Sequence, residues 1–205
     1  MPHKSDPREK EMLLSEERQA ALQPAKLLRR VGLRSGDTIA DVGCGPGFFT
    51  LPAAQIVGAG GLVYAADIQG EMLTAVRSRA AQEGLTNIRL VKTSENSVPI
   101  PPESCDMVLL AFTLNELDQH ATFLHRLARL LKPDGKLVVL DWEKHEQTEG
   151  PPLQDRVAPD ALKADADAAG LHVEKQESLN EHQYLFILAP VVVEPKPAES
   201  SAQVV

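Results

Sequence analysis

Residues 38–50, Thr-Ile-Ala-Asp-Val-Gly-Cys-Gly-Pro-Gly-Phe-Phe-Thr, constrain this chain more than any other stretch. Thr38–Val42 reads as a short buried strand with the Asp41 carboxylate near its end. Gly43, Cys44, Gly45, Pro46 and Gly47 then turn the chain into a helix carrying Leu51, Ala54 and Val57. Glycine lacks a Cβ and tolerates positive φ, so a ligand can approach bare backbone in such a turn. N–H groups at the helix start offer a place for an anion. Strands and helices go on alternating after this unit, which implies parallel strands with their carboxyl ends along one edge, where ligands of open α/β sheets bind.

Two ligand classes compete for the turn. A dinucleotide fingerprint requires G-x-G-x-x-G, and here Phe48 stands where the third glycine belongs. Asp41, two residues before the first glycine, would repel a pyrophosphate but suits an ammonium or sulfonium charge. S-adenosylmethionine carries both, with a carboxylate for the backbone donors. Residues 61–67 give a second apolar strand ending in Asp67, placed where a carboxylate grips two ribose hydroxyls. A plain strand–helix connection explains one glycine-rich turn, but not two apolar strands each closed by an acid.

Asp41 to Gly47, together with Val63-Tyr64-Ala65-Ala66-Asp67, resembles the cofactor site of class I S-adenosylmethionine-dependent methyltransferases. It is most similar to the small methyltransferase-domain type that includes the ubiquinone/menaquinone-biosynthesis enzymes, strongly over residues 24–142. The resemblance implies an α/β fold: a Rossmann-like, doubly wound seven-stranded sheet, mostly parallel with an antiparallel C-terminal strand. It implies S-adenosyl-L-methionine as cofactor, held by Asp41, Gly43, Cys44, Gly45 and Gly47, then by Asp67, Ile68 and Met72. It also brings Ala111 and Phe112 near the transferable methyl group. Thr93-Ser94-Glu95-Asn96 lies where resembling enzymes place an aspartate against the adenine amino group. The aligned residue is Ser94, so Glu95, or backbone of residues 94–96, is expected to replace that contact. These motifs define cofactor and fold and leave the methyl acceptor open.

The 205 residues are read as one domain over 1–193, with a helical cover over 1–34 and a Pro-, Ser- and Glu-rich disordered tail over 194–205. A net charge of −8 and 4% aromatic residues argue against a phosphate-tracking or base-stacking surface, so no nucleic-acid partner is expected. The two cysteines form no C-x-x-C pair and fit a reducing, cytoplasmic setting. No apolar segment follows the N-terminal residues as in a signal peptide, and the longest apolar run, 184–193, is too short to span a bilayer. The six histidines show no metal-ligand spacing, so no metal is expected.

Elsewhere, Ser15 is expected to cap a short helix and Pro24 to start another. Helical spacing marks 71–83, 118–131 and 160–169, and 105–112 is a central strand. Residues 132–135, Lys-Pro-Asp-Gly, read as a turn before a fifth strand over 136–142. Residues 143–159 form a long, flexible connection, suspect for function. Segments 171–177 and 183–188 form a terminal hairpin.

Methyl transfer asks the protein to align the acceptor and exclude water, and a carbon or oxygen acceptor also needs a base. Candidates are Glu116, Asp141, Glu143 and His145. A small-molecule acceptor is expected between Asn115, Trp142 and His145, with Glu116 beside them and Asn115 and His145 as tentative catalytic groups. The segment around Asn115 lacks the (N/D)-P-P-(Y/F) pattern of exocyclic-amine methylation. Two other classes stay open at this level: a non-catalytic S-adenosylmethionine-binding protein and a nicotinamide-dependent reductase. The sequence leaves the oligomeric state unassigned.

Overall fold

A computed structural model describes residues 13–147 and 149–191. The expected tail at 194–205 lies outside them. The strands are β1 (Thr38–Val42), β2 (Leu62–Asp67), β3 (Ile88–Lys92), β4 (Cys105–Ala111), β5 (Leu131–Trp142), β6 (Leu171–Ser178) and β7 (Gln183–Pro190). The helices are α1 (Glu16–Leu22), α2 (Pro24–Arg30), α3 (Thr50–Val57), α4 (Gly70–Gln82), α5 (His120–Ala128) and α6 (Pro159–Ala168).

The strands form one sheet in the order β3-β2-β1-β4-β5-β7-β6. β1 to β5 pair in parallel, while β7 runs antiparallel to both β5 and β6. This is the doubly wound, seven-stranded arrangement expected from the sequence. The strand order reverses between β1 and β4, so the carboxyl ends of those two strands flank the crevice where such sheets bind ligands.

Two apolar layers cover the sheet. Leu124 and Leu127 of α5 and Leu162 and Ala166 of α6 pack with Ala40, Val108 and Leu110 on one face. Leu28 of α2 and Ala53, Ala54 and Val57 of α3 pack with Ile39, Met107 and Leu109 on the other. Burial on both faces explains why β4 reads as a continuous apolar run rather than an alternating one. Truncating one of these fully buried leucines to alanine costs about 2–5 kcal/mol.

Two expected boundaries shift. α5 spans His120–Ala128 rather than 118–131, and Leu131 instead starts β5. The expected turn at 132–135 lies within β5 as a bulge, where pairing steps from Cys105↔Leu131 to Met107↔Lys136. The reason is long-range pairing. Lys132 Nζ binds the Asp106 carboxylate at 2.7 and 2.8 Å, and Asp106 accepts from Thr38 N at 2.8 Å, tying the bulge to β4 and β1. Only glycine fits at 135, because a Cβ there would lie 2.8 Å from the Cys105 carbonyl oxygen.

The connection after β5 is bonded from within through Arg156. Arg156, 3% exposed, donates to four carbonyls: Pro151 at 2.8 Å, Glu143 at 3.4 Å, His145 at 2.9 Å and Glu149 at 2.6 Å. The guanidinium fork staples the segment from within, and Leu153–Asp155 forms a 3-10 turn beside it. No helix among the described residues is long and apolar enough to cross a membrane.

Candidate functional site

A cleft opens at the carboxyl ends of β1, β2 and β4, holding about 1030 Å³ of empty space with its open mouth included.

The turn after β1 forms its base. Gly43, Gly45 and Gly47 all have positive φ. Gly43 is sterically required, since a Cβ there would strike the Thr113 side chain beyond β4. The turn donors are spent within the protein: Gly43 N and Cys44 N donate to Ala66 O at 2.8 and 3.1 Å, and Gly47 N to Cys44 O at 3.0 Å. Gly45 N donates to Asp67 Oδ2 at 2.9 Å. Pro46 has no N–H. These four turn N–H groups are therefore engaged within the protein, three of them by Ala66 and Asp67 at the end of β2.

Asp67 closes β2 with both oxygens anchored, Oδ2 by Gly45 N and Oδ1 by Gln69 N at 2.7 Å. A carboxylate offers about four acceptor sites, so Asp67 keeps capacity for a further donor. Burial raises the Asp67 pKa, opposed by those two N–H groups and by the charge of Lys92. Asp41 is 2% exposed and accepts from Thr50 Oγ1 at 2.6 Å. Burial pushes its carboxyl up to about 7, the Thr50 bond opposes this, and the Asp67 charge adds to it. Two acids held against their preferred ionisation in one cleft favour a cationic ligand group.

Ile68, Met72, Ser94 and Glu95 line the side of the cleft beyond Asp67. The 94–97 turn is closed by mutual Ser94–Ser97 backbone bonds, and the Glu95 carbonyl accepts from Arg126 Nη1 at 3.0 Å. Neither Asn96 nor Gly47 is among the lining residues.

The opposite wall is the tip of β4. Ala111 and Phe112 line the cleft, and Phe112 has φ +56°, an uncommon and strained conformation for a bulky residue. It is held by Phe112 N donating to Leu140 O at 2.7 Å and by its ring lying 5.3 Å from the Trp142 ring. Trp142 thus stands behind Phe112, with Gly150 on its indole, where a Cβ would come within 2.7 Å of the ring. Asn115, Trp142 and His145 are not among the lining residues, so the cleft does not bring that trio together. Glu116 does line it, with Thr113, Leu117 and Phe123. Asp141, 1% exposed, accepts from Leu114 N at 3.1 Å and Trp142 N at 2.8 Å and so fixes the tip from beneath. Burial raises it to about 7 against these bonds, and the Glu116 charge adds to the shift.

The N-terminal cover reaches the cleft through Leu13 and Arg18. The Arg18 guanidinium lies 4.7 Å from the Phe48 ring centroid and 5.0 Å from that of Phe112. Burial draws its pKa down to about 10, so it stays cationic at neutral pH. Arg18, Phe48, Thr113 and Phe123 are cleft residues that the sequence reading did not select. The Phe48-Phe49 pair directly after the last turn glycine was the one legible signal. Among the described residues no cluster of three or more His, Cys, Asp or Glu side chains could hold a metal.

The family described as a methyltransferase domain matches residues 40–139. The chain is 33% identical over 116 residues to the ubiquinone/menaquinone biosynthesis C-methyltransferase UbiE of Marinomonas sp. (strain MWYL1), covering 56% of this chain and 46% of that protein. It is 30% identical over 114 residues to a demethylmenaquinone methyltransferase of Geobacillus sp. (strain WCH70), covering 56% and 49%. The chain thus spans about half the length of the curated relatives it matches. A solved structure of a SAM dependent methyltransferase from Aquifex aeolicus superposes with a TM-score of 0.85 at 32% identity, over 90% of this chain and 98% of that one. With that near end-to-end match at 32% identity, the chain belongs to the S-adenosylmethionine-dependent methyltransferases.

Proposed function

We propose that this chain binds S-adenosyl-L-methionine in the cleft and directs its methyl group onto a small-molecule acceptor. The observation that carries the reading is the Asp67 carboxylate, anchored by Gly45 N and Gln69 N with lone pairs to spare at the end of β2. Such a group pairs with two ribose hydroxyls. Asp41 faces the cationic amino-acid end, and Met72, Ser94 and Glu95 flank the adenine. When bound, S-adenosylmethionine supplies an electrophilic methyl group on a sulfonium.

The acceptor side is bounded by Phe112, Glu116, Leu117, Phe123 and Leu13, a largely apolar rim with one carboxylate. This supports a small, partly aromatic acceptor, and a quinone-precursor ring is the first class to test, since the curated relatives carry quinone-biosynthesis names. Glu116 is the lining carboxylate on the β4-tip side and takes the role of proton acceptor for a carbon or oxygen nucleophile. Asn115, Trp142 and His145, expected at the acceptor, are not among the residues lining the cleft, and Trp142 packs on the Phe112 ring. The two free cysteines support a reducing compartment such as the cytoplasm.

The test is a turnover screen that detects S-adenosylhomocysteine across phenols, quinone precursors, small amines and macromolecular acceptors. Methylation of a small acceptor is the expected result. Tight binding of S-adenosylhomocysteine with no turnover on any acceptor would favour the non-catalytic reading, and selective binding of a nicotinamide dinucleotide would overturn the cofactor.

A further inference from the structure

We infer that His120, at the start of α5, is a positioning residue for the acceptor side: with Asp165 of α6 it holds the Leu114 carbonyl and so fixes the turn that carries Glu116 into the cleft. The inference rests on the reading of Glu116 as proton acceptor given above. It gives a role to a histidine–carboxylate pair that lies outside both the glycine-rich turn and the acid-terminated strands.

Glu116 stands on a short support. It ends a 3-10 turn, Leu114–Glu116, that follows β4 and the strained Phe112. The turn's own backbone bonds are Glu116 N to Thr113 O at 3.0 Å and Leu117 N to Leu114 O at 3.1 Å. A 3-10 turn of this length is weakly bonded by itself. Its anchor lies outside it. Leu114 is fully buried and held at both of its backbone groups: its N–H donates to Asp141 Oδ2 at 3.1 Å, and its carbonyl lies 3.1 Å from His120 Nε2. A carbonyl oxygen only accepts, so Nε2 carries the hydrogen.

The other ring nitrogen has its own acceptor. His120 Nδ1 lies 3.3 Å from Asp165 Oδ2, with the two side chains 24% and 31% exposed. An ionised carboxylate also only accepts, so both contacts are made together by the imidazolium, with a hydrogen on each nitrogen. The remaining charged groups at this end are acids: Asp141 at the Leu114 N–H, Glu116 on the turn, and Asp118 between the turn and α5. Helix capping does not explain the histidine. It is the first residue of α5, where a cation opposes the helix dipole, and Gln119 before it makes no side-chain cap bond. The contacts with Asp165 and Leu114 are what offset that placement.

The link runs from the core to the cleft. Leu162 and Ala166 of α6 are buried in the same layer as Leu124 and Leu127 of α5, so Asp165 stands on a packed helix. The ring passes that position to Leu114. Two residues on, Glu116 lines the cleft with Thr113 and Leu117. Misplacing a catalytic group by about 1 Å costs up to about a hundredfold in rate. Asp67 at the end of β2 and Met72 on α4 lie across β1 from this turn, so the cofactor side keeps its geometry.

Two measurements on the full chain test this. Amide exchange at Glu116 and Leu117 reports the turn with no acceptor present. His120→Ala should speed exchange at both about tenfold, the equivalent of one lost hydrogen bond to a charged group. Calorimetric affinity for S-adenosylhomocysteine should stay within about twofold of the unmodified chain, which also shows that the variant folds. His120→Gln keeps an N–H donor for the Leu114 carbonyl and should restore most of the protection. Asp165→Asn should give a smaller rise in the same direction. On the acceptor found by screening, kcat should fall about tenfold in His120→Ala, with KM changed less, and recover in His120→Gln. Unchanged exchange at Glu116 and Leu117 in His120→Ala, faster exchange with unchanged kcat, or no recovery in His120→Gln overturns the assignment. Normal turnover in Glu116→Gln instead overturns the proton-acceptor reading and leaves the hold on the turn standing.

Discussion

The Gly45 N–H donates to Asp67 Oδ2 at 2.9 Å, joining residues 22 positions apart in the chain. The glycine-rich turn and the acid of the second strand are therefore one device: Asp67 shapes the turn that forms the base of the cleft, and the turn aims Asp67. A substitution at either acts on both.

Asp67→Ala should consequently lower S-adenosylhomocysteine affinity by about tenfold or more, the loss expected for hydrogen bonds to a charged group. It should also loosen the turn, since Gly45 N and Gln69 N lose their acceptor. Calorimetric titration gives the first effect. Faster amide exchange at Gly45 than at the Ala66-bonded Gly43 gives the second, and equal exchange at both would count against a shared device.

Glu116→Gln should reduce turnover on a carbon or oxygen acceptor by about a hundredfold, the lower range for losing a general base. Cofactor affinity should stay within twofold. His145→Ala should reduce turnover far less, because the His145 carbonyl, which the substitution keeps, is what Arg156 holds. Steady-state kinetics on the acceptor found by screening separates the two, and a larger loss in His145→Ala would return the acceptor site to the segment after β5.

Arg156→Met removes the donor to four carbonyls. We expect a stability loss of about 1–3 kcal/mol in urea unfolding, since water replaces some of the bonds. Limited proteolysis should open new cleavage between residues 143 and 156. S-adenosylhomocysteine affinity should be nearly unchanged, because the segment lies behind Trp142 rather than at the cleft wall.

The acids set the pH dependence. Asp41 and Asp141 each have an ordinary value of 3.8 and are raised to about 7 in the folded protein, burial being the main cause for both. Between those values the folded state binds more protons than the unfolded one, so stability falls as pH rises through the window and stays low above it. Each group contributes a slope of up to about 1.4 kcal/mol per pH unit. Urea midpoints from pH 4.5 to 8 should show the decline, and Asp141→Asn should flatten it. A slope unchanged in that variant would mean that Asp141 ionises normally.

Asp41 also couples protons to ligand. A cation placed beside it lowers its pKa, so binding near pH 7 should release a fraction of a proton. Titrations in buffers of different ionisation enthalpy should report that release for S-adenosylmethionine, and Asp41→Asn should abolish it.

The legible part of this structure was the part governed by local pattern. Apolar runs closed by Asp41 and Asp67 gave β1 and β2 and their common edge, because a buried parallel strand and a strand-end acid leave marks in consecutive residues. Ser15 and Pro24 marked the starts of α1 and α2 for the same reason, and the Ser15 cap on Arg18 N is present. Lys-Pro-Asp-Gly has the local signature of a turn, yet pairing with Cys105 and the Lys132–Asp106 contact draw it into β5. Asn115, Trp142 and His145 were expected to meet around the acceptor, and none of them lines the cleft. The backbone beside them is set by Asp141, which accepts from Leu114 N and Trp142 N, and by Arg156, which donates to the His145 carbonyl, bonds that no residue pattern encodes. Arg18 was invisible for a related reason: three residues from a helix cap, it looks like any solvated arginine until α1 is laid across Phe48 and Phe112.

The interior position of β7 bears on biosynthesis. β7 is inserted between β5 and β6, yet among the described strands it comes last in the chain. Until residues 183–190 emerge, a nascent chain carries β5 as an open edge, with Leu137, Val138, Val139 and Leu140 beside unpaired backbone groups that are among the most deeply buried when folding is complete. An apolar edge of this kind templates intermolecular pairing. Ribosome stalling or premature termination shortly before residue 183 should therefore yield aggregates and chaperone clients rather than a slightly shortened enzyme.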